Sequence, residues 1–347
     1  MKEQLLTWSE YQTRFKTMAE RAGRNEDQIL SHLNYSKKLY EQYLPVIFDL
    51  QHLAFHTGYK KEYIQRAIKN QENFYRSFKI RKKNGNSRTI TEPLPSLKEI
   101  QYWILNNIIK RIAPNPHNNA YTEGKSIITN AKFHRKQAKV LNVDIEKYFD
   151  NISKDRVKSL FLSIGYNKEV SEILSFLLTL KNGLPQGSPT SPYLSSILTK
   201  NIDLDLLDYA RSKELRYSRY ADDITISGDF NDKEVIWDLM RIIKEHGFNI
   251  NPLKTSVKKQ HQRQMVTGIV VNEKLSIKKD DIRELRQNIH YIKTKGLAAH
   301  MTTKKLSKAN YLFHLLGKTN YFLSVKKGDK NILKYKADIR ELIKKYY

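Results

Sequence analysis

A chain of 347 residues with 39% hydrophobic and 11% aromatic content can bury one large core or two to three subdomains, which excludes a disordered tail. Its net charge of +26, from 62 basic and 36 acidic residues, exceeds what solubility needs and points to a polyanionic partner; the basic residues interleave with 21 Tyr and 13 Phe along the whole length, which favours nucleic acid over a membrane surface. The absence of Cys excludes a disulfide framework and thiolate metal sites, so metals are expected on oxygen ligands, and the polar N-terminus without an apolar leader predicts a cytoplasmic protein.

Residues 1 to about 43 read as polar helices with scattered apolar positions such as Leu30, Leu33, Leu39 and Tyr40. From Leu44 to Ile68 the spacing of Val46, Leu50, Leu53 and Ala54 predicts further helix packed on a core. Two short alternating runs between Phe78 and Ile90 flank Asn84-Gly85-Asn86 and predict a basic hairpin. Its Arg81, Lys82, Lys83 and Arg88 either form a solvated edge or lie along a triphosphate. Leu97, Ile100, Ile104, Ile108 and Ile112 predict one amphipathic helix over 97–112.

The run from Lys139 to Ile145 predicts a buried strand that ends in Asp144. A carboxylate there faces a cation or a solvated site, or else caps a helix or turn. Leu184-Pro185-Gln186-Gly187-Ser188-Pro189 is a loop by its Pro and Gly content and opens a helix to about Ser212. Alternating runs at 215–219 and 224–227 then place Tyr220-Ala221-Asp222-Asp223 at the tip of a hairpin. A helix over 232–246, a turn at 249–255 and a strand pair between Met265 and Ile277 follow. The basic tail from Lys279 reads as helical, with Ile282, Leu285, Ile289 and Ile292 on one face and Arg283, Arg286, His290 and Lys293 on others.

Alone, Asp222-Asp223 is no more than a common solvated turn. Two adjacent carboxylates repel unless a cation neutralises them, and Asp144 adds a third acid on a neighbouring strand. Three acids are the minimum for holding two Mg²⁺ ions about 4 Å apart, the arrangement that supports in-line phosphoryl displacement.

With these residues in order, the chain resembles a reverse transcriptase of α+β fold, a right-hand polymerase with fingers, a palm of antiparallel sheet plus helices, and a helical thumb. Tyr220-Ala221-Asp222-Asp223 matches the family's YxDD motif, and Asp144 with Phe149 matches its first palm motif. Gln186-Gly187 matches the LPQG motif that borders the incoming nucleotide, and Lys254 matches the palm lysine near the pyrophosphate. The resemblance implies that Asp144 and Asp222 bind two Mg²⁺ ions, or Mn²⁺, with the Ile145 carbonyl as a further ligand and Asp223 as a weaker one. It implies that Phe149 excludes a 2′-hydroxyl unless it is an ordinary core aromatic. Arg88, with Lys82 and Lys83, would neutralise the triphosphate of a dNTP, and Lys254 would be a general acid unless it is a solvated surface lysine.

Asn130-Ala131-Lys132-Phe133-His134 and Val266-Thr267-Gly268 are similar to the NAxxH and VTG signatures of bacterial retron reverse transcriptases. That subfamily implies RNA binding by Asn130, His134, Val266, Thr267, Gly268 and the thumb residues Arg283 and Arg286. It also implies copying of a cognate noncoding RNA, primed from a guanosine 2′-hydroxyl, into the branched RNA–DNA hybrid msDNA, and an antiphage role with a separate effector protein. The expected division is an N-terminal extension at 1–43, fingers at 44–137, palm at 138–271 and thumb at 272–347, with no membrane association. A group II intron-like or other defence-associated reverse transcriptase, and an RNA-binding scaffold with an inactive polymerase fold, are the competing readings.

Overall fold

The computed structural model describes residues 6–81, 85, 87–307 and 309–347. The chain forms two compact units: Met1–Thr122, Glu146–Asp203 and Glu245–Phe248 make the first, and Glu123–Ile145, Leu204–Lys244 and Asn249–Tyr347 the second.

The first unit opens with α1 (Trp8–Arg21) and α2 (Glu26–Tyr40). Each begins with a capping box, Thr7 with Glu10 and Asn25 with Gln28, so two orphan backbone donors are satisfied reciprocally at each start. The expected stretch from Leu44 to Ile68 is two helices, α3 (Leu50–Thr57) and α4 (Lys61–Lys69). Gly58 separates them because the αL cap at φ 73° is a conformation that glycine adopts without a Cβ penalty. The basic hairpin forms as β1 (Tyr75–Arg81) and β2 (Ser87–Pro93), paired antiparallel from Tyr75↔Pro93 to Arg81↔Ser87. Lys82 and Lys83 lie outside the described residues.

Next comes α5 (Pro95–Asn107), which stops short of the predicted end at 112. Ile108 and Ile109 are fully buried, and a 3-10 turn at Ile109–Arg111 turns them inward, so packing overrides the helical period.

In the second unit, α6 (Ile127–Phe133) leads to β3 (Lys139–Asp144). In the first, α7 (Lys154–Ser163), α8 (Lys168–Leu178) and α9 (Ser191–Leu198) follow, and α10 (Lys200–Ser212) carries the chain back to the second. The single helix expected over 193–212 is therefore two. Thr199 breaks it, its hydroxyl donating to the Ser195 carbonyl at 2.7 Å in the back-bonded geometry that bends helices.

The second unit continues through β4 (Arg216–Tyr220), β5 (Asp223–Gly228), α11 (Asp232–Glu245, whose last residue lies in the first unit), β6 (Ser256–Lys259), β7 (Met265–Val266) and β8 (Ile269–Val270). The four-stranded sheet has the order β4-β5-β3-β6, every neighbour antiparallel. β3 is flanked on both edges, which is why Val140, Leu141 and Val143 are buried. Asn142 interrupts that apolar run and is satisfied there, donating to the Met265 carbonyl at 3.1 Å and accepting from Thr225 at 3.3 Å.

The basic tail forms α12 (Lys279–Lys295), α13 (Leu297–Thr303), α14 (Tyr311–Val325) and α15 (Lys330–Tyr346). Leu285, Ile289 and Ile292 are buried on α12 and Ile282 packs beside them, facing Leu312, Leu315, Phe322, Ile332 and Ile339. Each such side chain contributes about 1.5–3 kcal/mol on burial, so this apolar face holds the helices together while their charges stay wet. Among the described residues, no helix is long and apolar enough to cross a membrane.

Candidate active site

The acid hairpin is a two-residue turn, Ala221-Asp222, between β4 and β5. Ala221 takes φ 59°, a left-handed conformation that costs a Cβ-bearing residue about 1–2 kcal/mol. The fully buried Arg219 fastens the turn by donating from Nη1 to the Ala221 carbonyl at 2.8 Å. On the neighbouring strand, Asp144 stands directly opposite Asp223. The Ile145 N–H donates to the Asp222 carbonyl at 2.9 Å, one rung further on, so Asp144 and Asp223 form a non-hydrogen-bonded pair, the kind whose side chains approach most closely.

Like charges therefore crowd one end of one sheet face. Asp144 is buried at 7% exposure, and Lys254 reaches it from the 3-10 turn at Pro252–Lys254, its Nζ 2.7 Å from both carboxylate oxygens. Asp223 is open to solvent on its outer side, but desolvation by the surrounding protein, then the charges of Asp222 and Asp144, push its carboxyl up to about 6 against the pull of Lys254. Among the described residues, no three His, Cys, Asp or Glu side chains form a ready metal cluster. Asp144 spends its charge on the lysine.

Beside the acids is a cavity of about 520 Å³, whose lining includes Tyr220, Asp223, Asn142, Lys258, Arg263 and Thr267. The strand pair β7–β8 supplies its far wall through Met265, Thr267 and Gly268. Gly268, at φ 84°, is exposed and Thr267 half-buried, whereas Val266 is sealed in the core. Asn130 and His134 are also buried, at 1% and 0% exposure, so the direct RNA contacts expected of Asn130, His134 and Val266 are not available to their side chains as folded. Arg283 and Arg286 are exposed on α12.

The other expected residues lie in the first unit. Gln186 accepts from the Thr91 N–H at 2.9 Å through its backbone carbonyl, laying the Leu184–Gly187 loop along β2. Gly187 is required by that approach: at φ 146° an added Cβ would sit 2.6 Å from the Thr91 carbonyl oxygen. Likewise a Cβ on Gly183 would meet the Asp150 carbonyl at 2.6 Å. Between loop and strand is a cavity of about 380 Å³ lined by Thr89, Thr91, Asp150, Lys181 and Gln186 among others. Phe149 is half-buried and meets Tyr148 edge-on at 5.3 Å. Arg88 is exposed on β2 beside this cavity, but strand alternation turns it to the face opposite Thr89 and Thr91.

Residues 80–271 match the family described as reverse transcriptase (RNA-dependent DNA polymerase). The retron Ec86 reverse transcriptase of Escherichia coli is 32% identical over 309 residues, covering 87% of this chain and 92% of its own. This chain belongs to the retron reverse transcriptases. It is an RNA-directed DNA polymerase. The retron Mx162 reverse transcriptase of Myxococcus xanthus is 31% identical over 286 residues, 68% of this chain and 59% of that one. A telomerase structure from Candida albicans covers 78% of this chain and 63% of its own at 11% identity and a TM-score of 0.42, too distant a likeness to add to the assignment.

Sequence reading missed several polar residues of this reverse transcriptase. Asp150 lines the first-unit cavity, and burial pushes its carboxyl above the usual aspartate range. Ser218 and Ser227 bond the His134 ring, and Arg219 points inward. The available signal was the run of small hydroxyls at alternate positions, Ser218 on one strand and Thr225 and Ser227 on the other.

Proposed function

We propose that this reverse transcriptase copies part of a cognate structured noncoding RNA into branched msDNA, starting from a guanosine 2′-hydroxyl, by two-metal nucleotidyl transfer. The observation that carries this reading is the opposed Asp144 and Asp223 with Asp222 in the adjoining turn, in a chain that matches a retron reverse transcriptase over 87% of its length. Three carboxylates close in the chain's fold, of which Lys254 pairs with Asp144, offer the oxygen donors a hard divalent cation prefers, so the donor set fits Mg²⁺ or Mn²⁺. Asp144, Asp222 and the Ile145 carbonyl would hold the ions with Asp223 as a lesser ligand, and the bound metal would supply Lewis-acid stabilisation of the phosphoryl oxygens.

The chain's own residues do the rest. Lys254, paired with Asp144 and with its side chain 53% exposed, would be the general acid that donates a proton to the departing pyrophosphate. In the first unit, Gln186, Gly187 and Arg88 would bind the dNTP with Lys82, and Phe149 would exclude a ribose 2′-hydroxyl. Thr267 and Gly268 at the second-unit cavity, with Arg283 and Arg286 on α12, would hold the RNA and the RNA–DNA hybrid by backbone charge and close approach. We assign fingers to 44–137, palm to 138–271 and thumb to 272–347, with 1–43 as an extension. The enzyme would act in the cytoplasm, in antiphage defence, beside a separate effector protein.

The test is to purify the protein from its native host and sequence the nucleic acid it carries. A DNA joined to RNA through a 2′,5′ branch, released as linear DNA by a debranching enzyme, is the expected result. Linear RNA alone would overturn the msDNA reading.

A further inference from the structure

The helix α6 and the residue that ends it carry more than a subfamily signature. The His134 ring bridges both arms of the acid hairpin: Nε2 lies 2.7 Å from Ser218 Oγ on β4, and Nδ1 lies 2.7 Å from Ser227 Oγ on β5. Ser218 in turn donates to Asn130 Oδ1 at 2.6 Å. All four residues are at most 4% exposed.

With the Asn130 amide oriented so that Oδ1 faces Ser218, the proton count sets the direction of each bond. Ser218 has one hydroxyl proton and spends it on Asn130, so its oxygen must accept from His134 Nε2–H. A neutral imidazole then has a bare Nδ1, which accepts from the Ser227 hydroxyl. Burial, with Arg216 nearby, lowers the ring to about 3 and keeps it in this neutral form.

The connection continues beyond the hairpin. Arg216 on β4 donates to the Phe133 carbonyl at 2.8 Å, and on the other side of α6 Thr267 donates to the Ile127 carbonyl at 3.2 Å. Ala131 packs in the same apolar cluster as Val266 and Ile269. The helix is thus pinned to the acid hairpin through its C-terminal end and to β7–β8 through its N-terminal end. Ser218 and Ser227 lie two rungs apart on the same face as Tyr220 and Asp223, so a shift of either arm is transmitted to the acids.

We infer that His134 is a positioning residue for nucleotidyl transfer: its rigid, two-ended imidazole sets the splay of the β4 and β5 arms and thereby the placement of Asp222 and Asp223. The NAxxH segment then acts as an internal strut between the acid hairpin and the β7–β8 hairpin. A flexible amide cannot span both hydroxyls in this fixed geometry. The inference rests on the hairpin acids being the chemical site, which Asp222→Asn tests separately by abolishing incorporation.

The experiment is single-nucleotide incorporation on poly(rA)/oligo(dT) with Mg²⁺, using Ser227→Ala, His134→Gln and the double variant. Burst amplitude counts competent enzyme and burst rate reports the chemical step. We expect burst rate to fall about 10–100-fold, the scale of a misplacement near 1 Å, with burst amplitude and template affinity within about twofold of wild type. The double variant should be no slower than the slower single variant, since both break one chain of bonds. An unchanged burst rate with reduced amplitude would make the network merely a stability element and overturn the inference. So would an unchanged burst rate with weakened binding of template or retron RNA, which would return His134 to an RNA-reading role. Ser227→Ala, which deletes one oxygen, answers the question if His134→Gln does not fold.

Discussion

The two ends of one hairpin obey opposite rules. At the turn, Ala221 is in a left-handed conformation, Asp144 and Asp223 stand opposite each other with Asp222 adjoining, and Lys254 at 2.7 Å offsets Asp144. Further back, with Ser218 two rungs and Ser227 four rungs from the Tyr220↔Asp223 pair, these serines join His134 and Asn130 in a buried neutral hydrogen-bonded chain. Charge repulsion and backbone strain gather at the turn, and the linked neutral hydrogen bonds lie further back along the arms. Such a division lets an unfavourable charge arrangement persist, because the surrounding structure over-determines its position.

The largest effect that would sharpen this contrast comes from the turn. Asp222→Asn should reduce Mg²⁺-dependent DNA synthesis by about 10³-fold or more, since a metal ligand contributes several kcal/mol to the transition state. Its melting temperature should not fall, because the change removes a like charge. A destabilised variant that still polymerises would reverse the roles of the two ends.

An intermediate effect belongs to the buried end. His134 is neutral when folded, with its pKa near 3, and titrates near 6.5 when unfolded. The unfolded state therefore binds the extra proton, and stability is complete above 6.5 and declines as pH falls from there toward 3. Between pH 7.5 and 5 the loss is about 2 kcal/mol. Arg216 is the charged neighbour that adds to this depression. Urea unfolding of wild type should lose stability over that interval relative to His134→Gln, with the difference between the two curves changing by this amount. Parallel curves would mean that the ring titrates in the folded protein as it does in the unfolded chain.

The smallest effect tests the strain itself. Ala221→Gly relieves about 1–2 kcal/mol of left-handed strain and adds about 0.4–1 kcal/mol of unfolded-state entropy. A net gain of about 1 kcal/mol or less in unfolding free energy is expected by calorimetry. A loss would show that Ala221 is held without strain.

How far the sequence revealed these two ends differs for a physical reason. The turn was legible because its acids are local: Asp222 and Asp223 are adjacent, and Asp144 ends an apolar run that called for explanation. The buried chain was not, because Asn130, His134, Ser218 and Ser227 come from three elements and meet only in the folded unit. Alternation misleads here as well. It marks Ser218 and Ser227 as outward polar positions, yet α6 covers that face and buries them. Arg219, a charged residue within the alternating run, is fully buried and bonded to the turn. In the first unit the Pro-Gly loop was visible, but its seat on Thr91 was not, since nothing in Gln186-Gly187 names the strand it will touch.

The order of strands in the sheet has a consequence for biosynthesis. β3 pairs on one edge with β5, from Asp144↔Asp223 to Lys139↔Gly228, and on the other with β6, from Asn142↔Ser256 to Lys139↔Lys259. A ribosome adding about 5–20 residues per second makes the central strand long before either partner, and it waits on the order of ten seconds with Val140, Leu141 and Val143 unpaired. Nascent chains at that stage carry an unprotected apolar edge, the feature that recruits chaperones or seeds aggregates. Slow translation between β3 and β5 would lengthen that interval, so the yield of soluble polymerase should depend on codon choice in that stretch more than in the helical tail.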